Sequence, residues 1–327
     1  MSKEHFLIIG ARGFIGSWIC RLLVEEGVKV TATDIKFDPK SLNSVLEPHQ
    51  IQKINICESD ARNPEAVTEL INNDITHVIY LAGLLRPASE NDPLLSSQVS
   101  ICGLINTLNA CISRKGEIGI VYASTAAVYG PAACYSDGVI DEKSRPQPKD
   151  HYGLHRLVME MTAEVYFRQH NVRSIGLRPW IVYGAGRFNG LSAEPSLAML
   201  AAVTGTSFHM KFGGVSVFHH VRDVALAFIR SARSNFPGAV TANIPGESLE
   251  MNNFIEMIER SVPEARGTIT CEPINLGAPN RVIDLTLERI IGPLPSPTED
   301  RVKESILEYR RLVENGLVNF PKNSSPT

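Results

Sequence analysis

The stretch GARGFIG, residues 10–16, sets Gly10, Gly13 and Gly16 three positions apart. It closes an apolar run, HFLIIG (5–10), and opens a helical pattern, FIGSWICRLLVEEG (14–27), that stops at Gly27. Glycines so placed let a strand-to-helix turn close, let backbone approach a pyrophosphate, and let the helix pack tightly on the strand. The helix N-terminus then turns free N–H donors and the positive end of its dipole toward the phosphates. The spacing alone is weak, and its context is what carries weight: a strand before, a helix after, and an acid ending the next strand. That acid is Asp34, which closes KVTATD (29–34), 18 residues beyond Gly16. A carboxylate there accepts from the adenosine ribose hydroxyls and repels a 2′-phosphate, which favours NAD. Arg12 and Lys36 are near enough in sequence to neutralise such a phosphate, so NADP is disfavoured and not excluded.

Further apolar strands are expected at ITHVIYLAG (75–83), GIVYAST (119–125) and VRSIGLRP (172–179), with helices over 64–73, 94–114 and 152–170 between them. Strands alternating with helices predict an α/β fold, a doubly wound Rossmann-type parallel sheet covered on both faces. After residue 184 the rhythm changes: GAGRFNGLSAEPS is rich in Gly, Pro and Ser. Residues 185–215 and 246–327 read as a smaller, substrate-binding lobe. Residues 1–184 and 216–245 read as the NAD-binding part, with 216–245 returning a helix and a strand to the sheet. The tail FPKNSSPT is expected to fray.

A chain of 327 residues suits one large α/β core with an attached lobe. A net charge of −3, with Lys and Arg scattered, gives no electrostatic reason to bind nucleic acid or an anionic membrane. Six cysteines lie far apart with no C-x-x-C pair, so they read as reduced, mostly buried small hydrophobes, and no metal site is expected. MSKEHFLIIG runs straight into a strand without a secretory pattern, and no window reads as a membrane span, so a cytoplasmic location is expected.

Together these segments resemble the extended short-chain dehydrogenase/reductase family, in its epimerase/dehydratase branch. GARGFIG matches the glycine motif, ESDARN the adenine segment, and YLAG the fourth-strand motif beneath the cofactor. ASTAAVYG, YGLHR, LRPWIVYGAGR and FHHVRDVALAF match later motifs in the same order. The resemblance implies cofactor contacts from Gly10, Arg12, Gly13, Phe14, Ile15 and Gly16 in the turn, and from Asp34. It implies others from Asp60 and Ala61, Leu81, Ala82 and Gly83, and from Tyr152, Arg156 and Pro179. Tyr152 would exchange a proton with a substrate hydroxyl or carbonyl while hydride passes between that carbon and the nicotinamide, and Thr125 would orient the reacting oxygen. An ordinary tyrosine is about 4 kcal/mol from phenolate at pH 7, and a fixed cation lowers that cost. The plainer alternatives are a helix-start tyrosine, and a strand-end threonine that only satisfies backbone groups. His155 reads as a packed or solvated helix residue.

Four departures from the family pattern bear on function. Arg156 stands where lysine is usual; it lies four residues after Tyr152 on the same helix face and keeps the charge without lysine's proton-shuttling ammonium. Ser100 and Ile181 each replace an asparagine. Ser216 replaces an arginine that meets a substrate pyrophosphate, with Arg222 nearby as a partial substitute. Losing diphosphate contacts argues for a smaller substrate than a nucleotide sugar. Arg86, Arg187 and Asn189 are candidates to hold a carboxylate or polyol oxygen, and Trp180 to line the pocket. The polar segment 131–150 is a candidate lid, with Glu142 structural. The expectation is an NAD-dependent oxidoreductase acting on a secondary alcohol or ketone of a small hydroxylated, sugar-derived or other, substrate, and dimeric by analogy with the family. The alternatives are an epimerase or dehydratase that retains NAD, or a non-catalytic dinucleotide-binding sensor or scaffold.

Overall fold

The structure, a computed structural model, describes residues 4–114, 118–141, 143–190, 192–294 and 298–320. Glu142 and the end of the chain beyond Phe320 lie outside the described residues, so the expectations for them are left where they stand.

Strand His5–Ile9 shows why the sheet forms. Its side chains alternate between faces: Phe6 and Ile8 enter one apolar core, Leu7 and Ile9 another. Both faces are covered, so residues 6–9 are apolar without a break, and His5 at the strand start shares a hydrogen bond with Thr31. The strand lies centrally in a parallel sheet of seven strands. From one edge the order is Ile54–Glu58, Lys29–Asp34, His5–Ile9, His77–Tyr80, Ile120–Ala123, Ser174–Arg178 and Ala239–Asn243. In chain order this runs third, second, first, then fourth to seventh, so the order reverses beside His5–Ile9. In such sheets the crevice beyond the strand C-termini at the reversal is where ligands bind.

Helices Phe14–Glu25 and Val221–Arg233 cover one face, through Trp18, Leu22, Leu23, Val224 and Phe228. The opposite face is covered by Pro64–Leu70, the helical run Pro93–Ile112 and His151–His170, through Val67, Leu104, Leu108, Met159 and Ala163. Within 216–245, helix Val221–Arg233 packs on the first face and strand Ala239–Asn243 joins the sheet edge, while Val215–His220 belongs to a separate three-stranded sheet.

Three details correct the sequence reading. Pro93–Ile112 is long and apolar enough, over 20 residues, to pass as a membrane span, contrary to expectation. Its apolar side packs on the sheet and on helix Pro64–Leu70. That run is also not one regular helix: residues Gln98–Cys102 form a π-helical turn. Only Cys20 and Cys111 are buried; Cys57 and Cys271 are partly exposed and Cys102 and Cys134 exposed, all as free thiols.

A second core gathers side chains of Ile181–Tyr183, Glu194–Val203, Met251–Ser261 and Thr298–Glu314. Val215–His220 pairs parallel with Ile181–Tyr183 and antiparallel with Glu247–Glu250. Thr286–Ile291, from the stretch expected in the smaller lobe, instead packs Leu287 into the core of the large sheet. The two cores are joined by Trp18, whose ring N–H donates to Ala185 O at 2.9 Å, and by an Arg21–Glu308 ion pair at 2.8 Å.

Candidate active site

Register places the chemistry. Ile9 pairs with Thr33 and with Tyr80, so Gly10, Asp34 and Leu81 emerge side by side at one end of the sheet. Tyr80 pairs with Tyr122 and Ala123 with Leu177, which brings Thr125 and Pro179 to the same end. These strand ends open into a cavity of about 1470 Å³. Every residue expected on the cofactor or the substrate lines it: Gly10, Arg12, Gly13, Phe14, Ile15 and Gly16 of the turn, Asp34, Asp60, Ala61, Leu81 to Gly83, Arg86, Thr125, Tyr152, Arg156, Pro179, Trp180, Arg187 and Asn189.

The glycine turn fits a dinucleotide by close approach. Gly10 has a φ of +88°, and a Cβ there would lie 2.7 Å from Ala82 N. A Cβ on Gly16 would lie 2.7 Å from Ala11 Cα and from Gly10 O, so the helix can seat on the turn only as glycine. Asp34 accepts from the backbone N–H of Arg12 at 3.3 Å and of Ile35 at 2.9 Å. Partial burial raises its pKa, against those bonds and the nearby Arg12 charge. Asp60 is held by Arg62 through side-chain bonds of 2.6–3.0 Å, which keep its pKa below the usual range.

Tyr152 begins helix His151–His170, and that start is fastened from three sides. Asp150 caps it by accepting from Gly153 N at 2.8 Å. Glu90 accepts from His151 N at 3.1 Å and from Tyr152 N at 3.0 Å. Gly153 lets the helix touch the turn after Thr125, where a Cβ would lie 2.6 Å from Ala127 O. Thr125, 7% exposed, accepts from Ala127 N at 3.2 Å, as the plainer reading allows, and still lines the cavity with its hydroxyl proton free to donate.

Arg156 is 3% exposed and donates to Ala123 O at 2.8 Å. Its Nε has no hydrogen-bond partner among the described residues, and its guanidinium lies 5.6 Å from the Tyr152 ring centre. Gly83 makes room for it, since a Cβ there would fall 2.2 Å from Nη2. Arg86 stands 5.8 Å from the same ring and pairs with Asp150 at 2.9 Å. Tyr152 therefore has a guanidinium from each of two elements.

The departures from the expected pattern also find their places. Ile181 and Ser216 are buried in the cavity wall, each 7% exposed. Arg222 does not reach the cavity: it pairs with Glu304 at 3.3 Å, so the idea that it substitutes for the missing arginine is withdrawn. Ser100 sits in the π-helical turn, its hydroxyl 3.2 Å from where a Cβ on Gly83 would be. His155 is packed, sharing a 3.0 Å hydrogen bond with Ser96. Trp180 lies in the wall, stacked on Tyr129 at 6.2 Å.

The segment 131–150 passes the site, with Pro131, Lys149 and Asp150 in the wall, but it is tied down. Val139–Asp141 pairs with Arg281–Ile283, Tyr135 Oη donates to Tyr129 O and Arg145 O, and Ala132 N donates to Gly277 O. A freely swinging lid over this whole length does not fit those bonds.

Sequence reading missed a buried polar chain behind Thr125. Ser124 Oγ donates to Glu160, which pairs with Arg178 at 2.5 Å. Arg178 donates to Tyr129 Oη at 2.6 Å, and Asn243 bridges Tyr129 and Asp284. Glu90 was missed as well. The Asp150 cap was missed too, and an aspartate directly before the helical pattern is the signal that could have found it.

Comparison with known proteins agrees with this geometry. The model of the "NAD dependent epimerase/dehydratase family" matches residues 6–244. The dTDP-4-dehydro-6-deoxyglucose reductase of Escherichia coli is 24% identical over 301 residues, covering 86% of this chain and 90% of that one. The D-erythronate dehydrogenase of Cupriavidus necator is 23% identical over 271 residues, covering 78% and 81%. Among solved structures, the UDP-N-acetylglucosamine 4-epimerase of Methanobrevibacter ruminantium M1 superposes with a TM-score of 0.80 at 22% identity, covering 94% of this chain and 99% of that one.

Proposed function

The chain belongs to the NAD-dependent epimerase/dehydratase family, and from that premise we propose that it oxidises or reduces a secondary alcohol or ketone of a small hydroxylated substrate, with Tyr152 as acid/base. It is an NAD-dependent enzyme of the reductase, dehydrogenase or epimerase kind. The observation that carries the proposal is the Tyr152 ring with the guanidinium groups of Arg156 and Arg86 at 5.6 and 5.8 Å, in the cavity that the glycine turn lines.

A bound nicotinamide supplies the hydride acceptor or donor. The chain's own residues do the rest. Thr125 donates its hydroxyl proton to the reacting oxygen and orients it. Tyr152 takes the substrate hydroxyl proton as hydride leaves the carbon, or returns it in the reverse direction. Arg156 holds its guanidinium 5.6 Å from the Tyr152 ring centre and moves no proton itself. The turn from Gly10 to Gly16 would hold the diphosphate and Asp34 the adenosine ribose. Asp34 favours NAD over NADP because a 2′-phosphate would meet a carboxylate already committed to two backbone N–H groups. Buried Ile181 and Ser216 offer a substrate diphosphate no cation, which favours a small substrate over a nucleotide sugar. Self-association through Pro93–Ile112 and His151–His170, where Leu94, Leu154 and Met161 are exposed, belongs to the same reading.

The test is absorbance at 340 nm with NAD and with NADP across polyhydroxy alcohols and acids. Net NADH formation with NAD preferred is expected. Interconversion of sugar epimers with no change in absorbance would move the assignment to an epimerase that recycles its cofactor.

A further inference from the structure

The whole chain carries a net charge of −3, yet the cavity wall is positive. Among the described residues six basic ones line it, Arg12, Arg62, Arg86, Lys149, Arg156 and Arg187, against three acids, Asp34, Asp60 and Asp150. The acids are already engaged: Asp60 by Arg62, Asp150 by Arg86, and Asp34 by the Arg12 backbone. Arg12 and Lys149 are exposed; of the two cations withdrawn from solvent without an ion pair among the described residues, Arg156 stands beside Tyr152 and Arg187 is the other. Its Nη1 donates to Val182 O and its Nη2 to Ser192 Oγ at 2.8 Å, which leaves three of its five N–H donors unused. Among the described residues no carboxylate lies within ion-pair distance of it. It sits deep in the protein but keeps accessible surface, because the side that is open faces the cavity. Burial pulls its pKa down to about 10, so the charge is held there at a cost that an anion would relieve. Its guanidinium lies 5.8 Å from the Phe14 ring, and a Cβ on Gly190 would be 3.7 Å from Nη2.

We propose that Arg187 anchors a carboxylate of the substrate, so that the substrate is a small polyhydroxy or keto acid; this rests on the hydride-transfer reading above. A planar guanidinium with free donors matches the two oxygens of a carboxylate. A substrate diphosphate would need further cations, and the wall at Ile181 and Ser216 has none. Asn189, exposed on the same loop, is placed to meet a hydroxyl of the acid. Phe14 belongs to the glycine turn, so the rival partner for Arg187 is the cofactor diphosphate.

Calorimetric titration of the NADH-saturated protein with erythronate, a four-carbon aldonate, and with erythritol, its uncharged counterpart, separates these cases. Wild type is expected to bind erythronate about tenfold or more tighter than erythritol. Arg187→Met should erase that preference with NADH affinity unchanged, and Arg187→Lys should keep part of it. Should Arg187→Met fail to fold, the wild-type pair and Arg187→Lys decide. Equal binding of the two probes by wild type overturns the anchor, as does no erythronate binding at millimolar concentration. So does a variant that loses NADH affinity and keeps the carboxylate preference. Turnover measured in parallel keeps the two readings apart. Erythronate bound selectively but never oxidised sinks hydride transfer and leaves the anchor. Erythritol oxidised as efficiently as erythronate does the reverse.

Discussion

At the scale of single residues, Arg156 is fitted to its place. A lysine there would give up the guanidinium bond to Ala123 O and the contact with Met159 S, and would leave space beside Gly83. Arg156→Lys is therefore expected to lower kcat/KM, and a rise would mean the arginine is a damaged lysine. Gly83→Ala would drive the guanidinium off Ala123 O and cost about tenfold or more in kcat/KM. In the double variant the clash is gone, so its loss should be smaller than the product of the single losses. Steady-state kinetics of the four proteins measure this coupling. The sequence announced the substitution, since HYGLHR shows arginine four residues after tyrosine. It did not announce the accommodation, because Gly83 and Arg156 are far apart in the chain and meet only across strand ends.

At the scale of elements, the start of His151–His170 carries the site. Glu90 ties this helix to the segment 84–92 by accepting from the N–H groups of His151 and Tyr152. Glu90→Ala is expected to cost about 1 kcal/mol, by analogy with lost helix caps. The melting temperature should fall by about 1–2 °C while kcat falls further, because the released N–H belongs to Tyr152 itself. An unchanged kcat would make Glu90 a cap and nothing more. Slight burial pushes the Glu90 carboxyl up, but the N–H donors win and hold it below its usual range. Its contribution is thus present above the ordinary carboxylate pKa and is lost only as pH falls through the depressed value. Long elements were legible because their periods differ: apolar throughout for covered strands, one apolar face for helices. The π-helical turn at Gln98–Cys102 was hidden inside a continuous apolar run, and the pairing of Val139–Asp141 with Arg281–Ile283 joins short segments too distant to leave a local signal.

At the scale of the whole molecule, burial keeps histidines neutral. His5, His77, His155, His219 and His220 all have lowered pKa values, chiefly through desolvation, and His219 falls to about 4. The unfolded chain protonates them near their ordinary value. For His219 the stability this represents is complete above about pH 6.5 and is lost as pH falls toward 4, roughly 2 kcal/mol by pH 5. Melting curves at pH 7.5 and 5 should show the drop, and His219→Gln should reduce the slope; an unchanged slope would remove His219 from the explanation. Composition concealed the most functional feature at this scale, since a net charge of −3 averages over a cavity wall where basic residues outnumber acids. The fold and the list of lining residues were legible from motif order, whereas charge pairing inside the cavity needed coordinates. The central claim is that Tyr152 moves the proton in this dinucleotide cavity, and single-turnover NADH formation by Tyr152→Phe tests it most directly. A rate slower by about 100-fold or more at unchanged NADH affinity is expected, and a rate equal to wild type, or a loss that merely follows weaker NADH binding, would contradict it.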